Sequence, residues 1–290
     1  MRLYEECKDC LFNSQMKKVE REQTDKEKIE RFKAGVREVC NGAPEEYCAP
    51  LLMRDIDGVH KRIFGCGIDY SREKALFNGK LLEMEEELFA QIISASDPLE
   101  EALKFSMAAN YIDFARLSDL DEGAVEYVIS AARKAKPEKA ALNSLKNKLK
   151  TAKTLCVLHD NCGEIVLDKI LIRVIKRLYP QISVTSVVRG GEIINDVTRR
   201  DAEAVKLREY ALVLDNGTAI PGTYLKEISA ETRAALDKSN VIISKGLGNL
   251  ETLFGGGYAA FYSFACKCEH IAKRFNSELW AVVFTEETST

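Results

Sequence analysis

The sequence predicts an α/β protein, with an all-helical N-terminal subdomain over residues 1–150 and a doubly wound α/β domain over residues 151–290. Three observations lead there. The first half repeats apolar residues at three- and four-residue steps. The second half alternates short β-branched runs with helix-period stretches. The regimes change at a lysine-rich stretch, residues 137–150. Strands that alternate with helices make βαβ units, and these build a mostly parallel sheet covered on both faces.

Taken in order, residues 17–33 alternate in charge sign, the pattern of a solvated helix face rather than of a nucleic-acid surface. In residues 81–93, Leu81, Met84, Leu88 and Ile92 recur with acids between them, which predicts an amphipathic helix. Ser96-Asp97-Pro98 then supplies a cap and a first-turn proline, and Leu99, Leu103, Ala109 and Ile112 extend a second helix toward Leu117. Beyond 150, strands are expected over 154–158, 182–188, 210–214, 241–244 and 279–284, and helices over 164–179, 199–207, 224–236 and 257–275.

Composition narrows the function classes. With 290 residues, 46% hydrophobic and 30% charged, the chain has a real core, and collagen-like or disordered readings fail. Lys and Arg total 42 against 45 Asp and Glu, a net charge of -3, which argues against a nucleic-acid partner bound over the whole surface. No stretch approaches 18 apolar residues and residues 1–20 hold no apolar signal core, so a cytoplasmic protein without a membrane partner is expected. Nine cysteines without an export signal point to reduced thiols or metal ligands. Cys7 and Cys10 form a CxxC, but Cys40 with Cys48 and Cys266 with Cys268 do not complete a zinc-ribbon spacing, and no strand precedes it as in a redox motif. Two thiols packed at a helix start, outside any strand-end crevice, is the plain expectation.

Open α/β sheets bind ligands beyond the carboxyl ends of their strands. Those ends are polar here: His159-Asp160-Asn161-Cys162-Gly163-Glu164, Arg189-Gly190-Gly191 leading to Asn195-Asp196, Asp215-Asn216-Gly217-Thr218, and Ser244-Lys245-Gly246-Leu247-Gly248-Asn249. Asp160, Asn161 and Asp196 offer three hard oxygen ligands, which suits Mg²⁺ or Mn²⁺ better than zinc. The helix starting near Gly163 would present free N–H groups to an anion, and Lys245, on a glycine-rich loop, would contact a phosphate. Each residue alone also fits a helix cap or a solvated loop; their joint placement favours a site. Gly246-Leu247-Gly248-Asn249-Leu250-Glu251 lacks the third glycine of a dinucleotide fingerprint, and no GxSxG occurs. His159 and His270 have no HExxH-type partner and read as structural.

DNCGEIVLD (160–168), VVRGGEIINDVTRRDA (187–202), ISKGLGNLETL (243–253), AANYIDF (108–114) and Lys267-Cys268 together resemble the metal-dependent damage-control phosphatases, a family that includes a proposed acidic-residue carboxyl methyltransferase. Cys7-Lys8-Asp9-Cys10, Gly248-Asn249-Leu250-Glu251 and Lys267-Cys268 match the CxxC, GNFE-like and KC marks of its stand-alone microbial subfamily, with leucine replacing phenylalanine. The resemblance implies a helical subdomain with an α/β/α sandwich. It also implies one divalent metal, Mn²⁺, Ni²⁺, Co²⁺ or Mg²⁺, on Asp160, Asn161 and Asp196, and Lys245 on the substrate phosphate. Asn110 and Asp113 would reach the site from the helical half. Asn249, Glu251, Arg189, Gly163 and Glu164 complete the expected substrate-binding set. The chain departs from the family pattern at Phe284-Thr285-Glu286.

The expected activity is therefore a metal-dependent phosphatase acting on phosphomonoesters of small, damaged or surplus metabolites, such as sugar phosphates or phosphopantetheine-type compounds. The nucleophile is a metal-bound water or Asp160, water being favoured because Asp160 is needed as a ligand. The alternatives are an S-adenosylmethionine-dependent carboxyl methyltransferase and a non-catalytic phosphometabolite or metal-binding module. The oligomeric state is not indicated.

Overall fold

The computed structural model describes residues 1–67, 69–110 and 123–287, the side chains of 123–128 excepted. Its helices in the first half are α1 (Glu5–Glu22), α2 (Lys26–Gly42), α3 (Ala49–Phe64), α4 (Ser71–Ile93), α5 (Pro98–Ala109), α6 (Gly123–Lys134) and α7 (Lys139–Thr151). The second half runs β1 (Thr154–Leu158), α8 (Glu164–Leu178), β2 (Ser183–Val188), α9 (Arg199–Ala204), β3 (Leu212–Asp215), α10 (Ala230–Lys238) and β4 (Val241–Lys245). It ends with α11 (Leu247–Leu253), β5 (Ala260–Ala265), α12 (Glu269–Arg274) and β6 (Val282–Glu287).

Local chemistry sets several boundaries. Asp97 accepts the N–H of Glu100, and Pro98 opens α5 where its missing donor costs nothing. Thr198 and Asp201 close a reciprocal capping box at α9. Gly65, at φ 84°, terminates α3 in the left-handed conformation.

The six strands lie in the order β3-β2-β1-β4-β5-β6; all pairs are parallel except β5 with β6. The chain leaves β1 toward one edge, returns, and continues from β4 toward the other, so the crevice between the ends of β1 and β4 is the topological switch point. One face of the sheet packs on α4, α5, α7 and α8 through residues such as Leu103, Leu145, Ile170 and Ile243. The opposite face packs on α10, α11 and α12 through Leu236, Leu250, Leu253 and Ile271. Helices α1, α2 and α3 bury Val19, Phe32, Val36 and Ile56 in a core of their own. The architecture is the expected α/β/α one, yet α4, α5 and α7 share one continuous core with the sheet.

Several expected bounds need correction, and the helix expected over 224–236 begins only at Ala230. Residues 257–275 were expected to be one helix; they form β5 followed by the short α12. Ala260–Ala265 is fully buried, and its run AFYSFA has no alternation to mark it as a strand rather than a core helix. The last strand starts at Val282, three residues later than expected, because Leu279 is exposed and Trp280 turns the chain at φ 68°.

Candidate functional site

The loops after β1 and β2 are zipped together by their backbones. Val197 donates its N–H to the carbonyl of Asp160 at 2.8 Å, and Cys162 donates to Asn195 at 3.0 Å. Asn161 and Asp196 form an isolated antiparallel bridge between them. That pairing brings the three expected metal ligands to one point of the switch-point crevice. Ile194, at φ 45°, takes the left-handed strain of the turn that presents Asp196.

The exit of β4 supplies the wall. Gly246 sits at φ 81°, and a Cβ there would lie 2.0 Å from the Asp160 carboxylate. Only glycine meets both demands.

The helical half holds these side chains from behind. Asn110, the C-cap residue of α5, donates its Nδ2 to Asp160 at 3.1 Å and to Glu164 at 2.9 Å, while its Oδ1 accepts the N–H of Ala265. Lys74 of α4 is buried and donates to the carbonyl of Asp196 at 2.7 Å, to Glu192 at 2.7 Å and to Asp201 at 3.1 Å. Asn161 donates its Nδ2 to Asp160 at 2.6 Å and to Glu164 at 3.2 Å, which leaves its amide oxygen for a cation.

Electrostatics mark the same point. Burial, with Asp196 and Glu164 adding repulsion, pushes Asp160 up to about 8 despite the cations of Arg189 and Lys267. Burial also raises Asp196. Arg189 donates Nε to Asp196 at 2.6 Å and Nη1 to Asn249 at 3.1 Å, with Nη2 3.6 Å from Asp160. One guanidinium thus offsets two carboxylates only in part.

A cavity of about 710 Å³ opens over these groups, and Asp160, Asn161, Asp196 and Glu251 line it. Burial raises Glu251 to about 7. The other expected contacts are placed differently. Lys245 is the last residue of β4, not a loop residue, and is fully buried. Its ammonium meets the Ser106 carbonyl and hydroxyl at 2.7 Å each, and Asp168 and Glu164 at 2.8 Å each. It therefore faces α8 and α5 beneath the cavity, a correction that follows from the period-2 alternation of a strand. Arg189 is likewise occupied by Asp196 and Asn249 below the cavity floor. Asn249 is a buried staple: it donates to the carbonyls of His159 and Lys245 and accepts from Arg189 and Thr223. The Gly163 N–H is not free for an anion, because Asn78 accepts it at 2.6 Å. Glu164 is fully buried between Asn110, Asn161 and Lys245. Asp113 lies outside the described residues. Of the two histidines expected to be structural, His159 is buried with its Nδ1 3.1 Å from Asp168, whereas His270 lines the cavity.

The structure overturns the placement of the CxxC. Cys7 and Cys10, in the first turns of α1, line the same cavity as Asp160. So do Lys267, Cys268, His270 and Lys273, which follow β5. Lys267 draws the carboxyls of both Asp160 and Asp196 downward. The strand-end rule would have found Lys267 once residues 260–265 were recognised as a strand; the arrival of α1 has no local signal.

Among the described residues no three His, Cys, Asp or Glu side chains form a ready-made metal cluster. The oxygen set at the switch point is two carboxylates and an amide, a donor set for a hard cation whose remaining positions stay open.

Comparison with known proteins gives the family and the fold. The sequence profile of the damage-control phosphatase ARMT1-like domain matches residues 3–281. An uncharacterized protein of Methanocaldococcus jannaschii is 29% identical over 94% of this chain and 92% of its own length. Two relatives named damage-control phosphatase are 29% identical over 74% of the chain and 75% of the relative in Archaeoglobus fulgidus, and 32% identical over 63% of each in Pyrococcus horikoshii. The crystal structure of the Pyrococcus horikoshii protein, described as a DUF89 family protein, superposes with a TM-score of 0.80 at 26% identity, covering 99% of this chain and all of that one. With a family profile spanning nearly the whole sequence and the same fold at full length, this chain belongs to the ARMT1-like damage-control phosphatase family.

Proposed function

We propose that the protein is a metal-dependent phosphatase that hydrolyses phosphomonoesters of small phosphorylated metabolites. The observation that carries this reading is the convergence of Asp160, Asn161 and Asp196 on the floor of a cavity large enough for such a molecule. The residues fit a divalent cation: burial, with repulsion from Asp196 and Glu164 added, pushes Asp160 up to about 8, so the two buried carboxylates need a positive charge, and the amide oxygen adds a third hard donor. When bound there, Mn²⁺, Mg²⁺, Ni²⁺ or Co²⁺ supplies Lewis-acid polarisation of a phosphoryl oxygen.

The chain's own groups do the rest. Lys267 lines the cavity and meets negative charge that grows on the phosphoryl group, the position first expected of Lys245. Lys245, Asp168, Glu164 and Asn110 act one layer down, fixing the direction of the Asp160 carboxylate through Asn110 and Asn161. Since Asp160 is held by these amides and closed in by Gly246, it serves as a ligand, and water is the nucleophile.

Free phosphate is to be measured after incubation with Mn²⁺ and a panel of phosphorylated sugars and cofactors. Metal-dependent release that a chelator abolishes is the expected result. No release with any of the four metals would overturn the reading, and methyl transfer from S-adenosylmethionine to protein carboxyls would replace it.

A further inference from the structure

Hydrolysis of a phosphomonoester needs a proton for the oxygen that leaves phosphorus as well as a nucleophile, and the cavity holds a carboxyl with no other task. Glu251 lies in α11, which begins directly after Gly246, the glycine closed against the Asp160 carboxylate. Leu247 and Glu251 stand one turn apart and both line the cavity, so this face of α11 is part of its wall. Four residues of helix rise about 6 Å, and a helical side chain reaches back over the preceding turn, so Glu251 is directed toward the Asp160 end.

The carboxyl has no partner within the protein. Asp160, Glu164, Asp168, Asp196 and Asp201 all accept hydrogen bonds from neighbouring side chains. Among the described residues, no side chain or amide donates to the Glu251 carboxyl. The Met1 amine beside it gives its hydrogen bond to the Glu251 main-chain carbonyl instead. Cys7 of α1, Cys48 before α3 and Cys268 before α12 feel its charge, and none of them is a cation. Lys267 acts on Asp160 and Asp196. His270, another titratable group on the cavity, is stacked on Tyr4 at 4.3 Å and lies 3.4 Å from Glu6.

We propose that Glu251 is the proton donor to the leaving group, a role that rests on the phosphatase reading above. Water adds to phosphorus as the ester P–O bond breaks; the bonding pair stays on the ester oxygen, which takes the proton of the Glu251 carboxyl. The alcohol departs, and the proton shed by the added water returns to Glu251 through solvent, so the carboxyl is restored after each turnover. A donor must hold its proton near neutrality and still release it. Burial, opposed only in part by the Met1 amine, puts Glu251 at about 7. Because the working form is protonated, donation is complete below that value and is lost as pH rises through it.

Two esters read this step apart from the rest of the reaction: 4-nitrophenyl phosphate, whose leaving group departs readily as an anion, and 4-methylphenyl phosphate, whose leaving group does not. With full-length protein and Mn²⁺, Glu251→Gln should lower kcat about 100-fold on the 4-methylphenyl ester and less than about 10-fold on the 4-nitrophenyl ester. The ratio of the two losses within one variant is independent of how much of it is folded. Glu251→Asp should regain part of the loss on the slower ester. Wild-type kcat on that ester should fall as pH rises through about 7, and Glu251→Gln should lack this decline. Equal losses on both esters, or the same high-pH decline in Glu251→Gln, would overturn proton donation and leave the phosphatase reading standing. Absence of Mn²⁺-dependent phosphate release from either ester by the wild type would instead remove that reading, and the proton donor with it.

Discussion

Asp168→Asn removes the charge that holds Lys245 at the centre of the protein. Asp168 is buried, accepts from Ser106 at 2.6 Å, pairs with Lys245 at 2.8 Å, and lies 3.1 Å from His159. Burial pushes its carboxyl up, but the Lys245 ammonium and His159 outweigh that and hold it at about 2, against an ordinary 3.8. That difference is worth about 2 kcal/mol in favour of the folded, ionised form. Breaking a buried pair by neutralising one partner costs more, about 3–5 kcal/mol, because the other charge is left behind. Glu164 still faces Lys245, so the low end applies: about 3 kcal/mol, or roughly 6 °C in melting temperature for a chain of this size. Because the folded carboxyl titrates below the unfolded one, its contribution is complete above pH 4 and disappears as pH falls toward about 2. Urea unfolding at pH 7, 4 and 2.5 should therefore show the wild type losing this increment at low pH and the variant lacking it throughout. A variant within about 1 kcal/mol of wild type at pH 7 would refute the view that this ion pair organises the interior.

Asp160→Ala and Asp196→Ala should each abolish Mn²⁺-dependent phosphate release while circular dichroism stays native; near-normal turnover in either would remove that residue from the ligand set. Lys267→Ala should lower kcat/KM for a phosphomonoester about 100-fold and leave Mn²⁺ affinity unweakened by calorimetry, since the lost cation competes with the metal for the same carboxylates. Gly246→Ala should cost about 3 kcal/mol by denaturation and also eliminate Mn²⁺ binding, because the added methyl occupies the place of the Asp160 carboxylate at a backbone angle that alanine resists. A soluble, metal-binding Gly246→Ala protein would show that Asp160 has another position.

The sheet was legible wherever β-branched residues mark it. Leu155–Leu158 and Val241–Ile243 are buried and apolar, and helix-period segments flank them, so the order of elements and the identity of the strand-end loops could be read directly. From those ends came Asp160, Asn161 and Asp196, which the fold does bring together. What failed were features set by tertiary contact. Ala260–Ala265 carries no period, so Lys267 was not recognised as a strand-end residue. Lys245 lies one residue before the loop, and that single step turns it from the cavity to the core. Cys7 and Cys10 reach the cavity only because residues 3–6 dock on Tyr47 and His270, partners more than 40 and 260 positions away in sequence.

The support that α4 and α5 give the site has a consequence for how the two halves can exist. Ser106 satisfies Lys245, Asn110 satisfies Asp160 and Glu164, Lys74 satisfies the carbonyl of Asp196, and Asn78 satisfies the N–H of Gly163. A doubly wound half made alone would expose an ammonium, carboxylates and amide groups with no replacements, along with the apolar face of α8. Neither segment is an interchangeable cassette: grafting a different helical half onto this sheet would have to reproduce four polar side chains at fixed heights before any metabolite could be bound. The helices upstream of residue 150 are thus part of the mould in which the candidate site is cast, and variation in them is tolerated only where it leaves Lys74, Asn78, Ser106 and Asn110 in place.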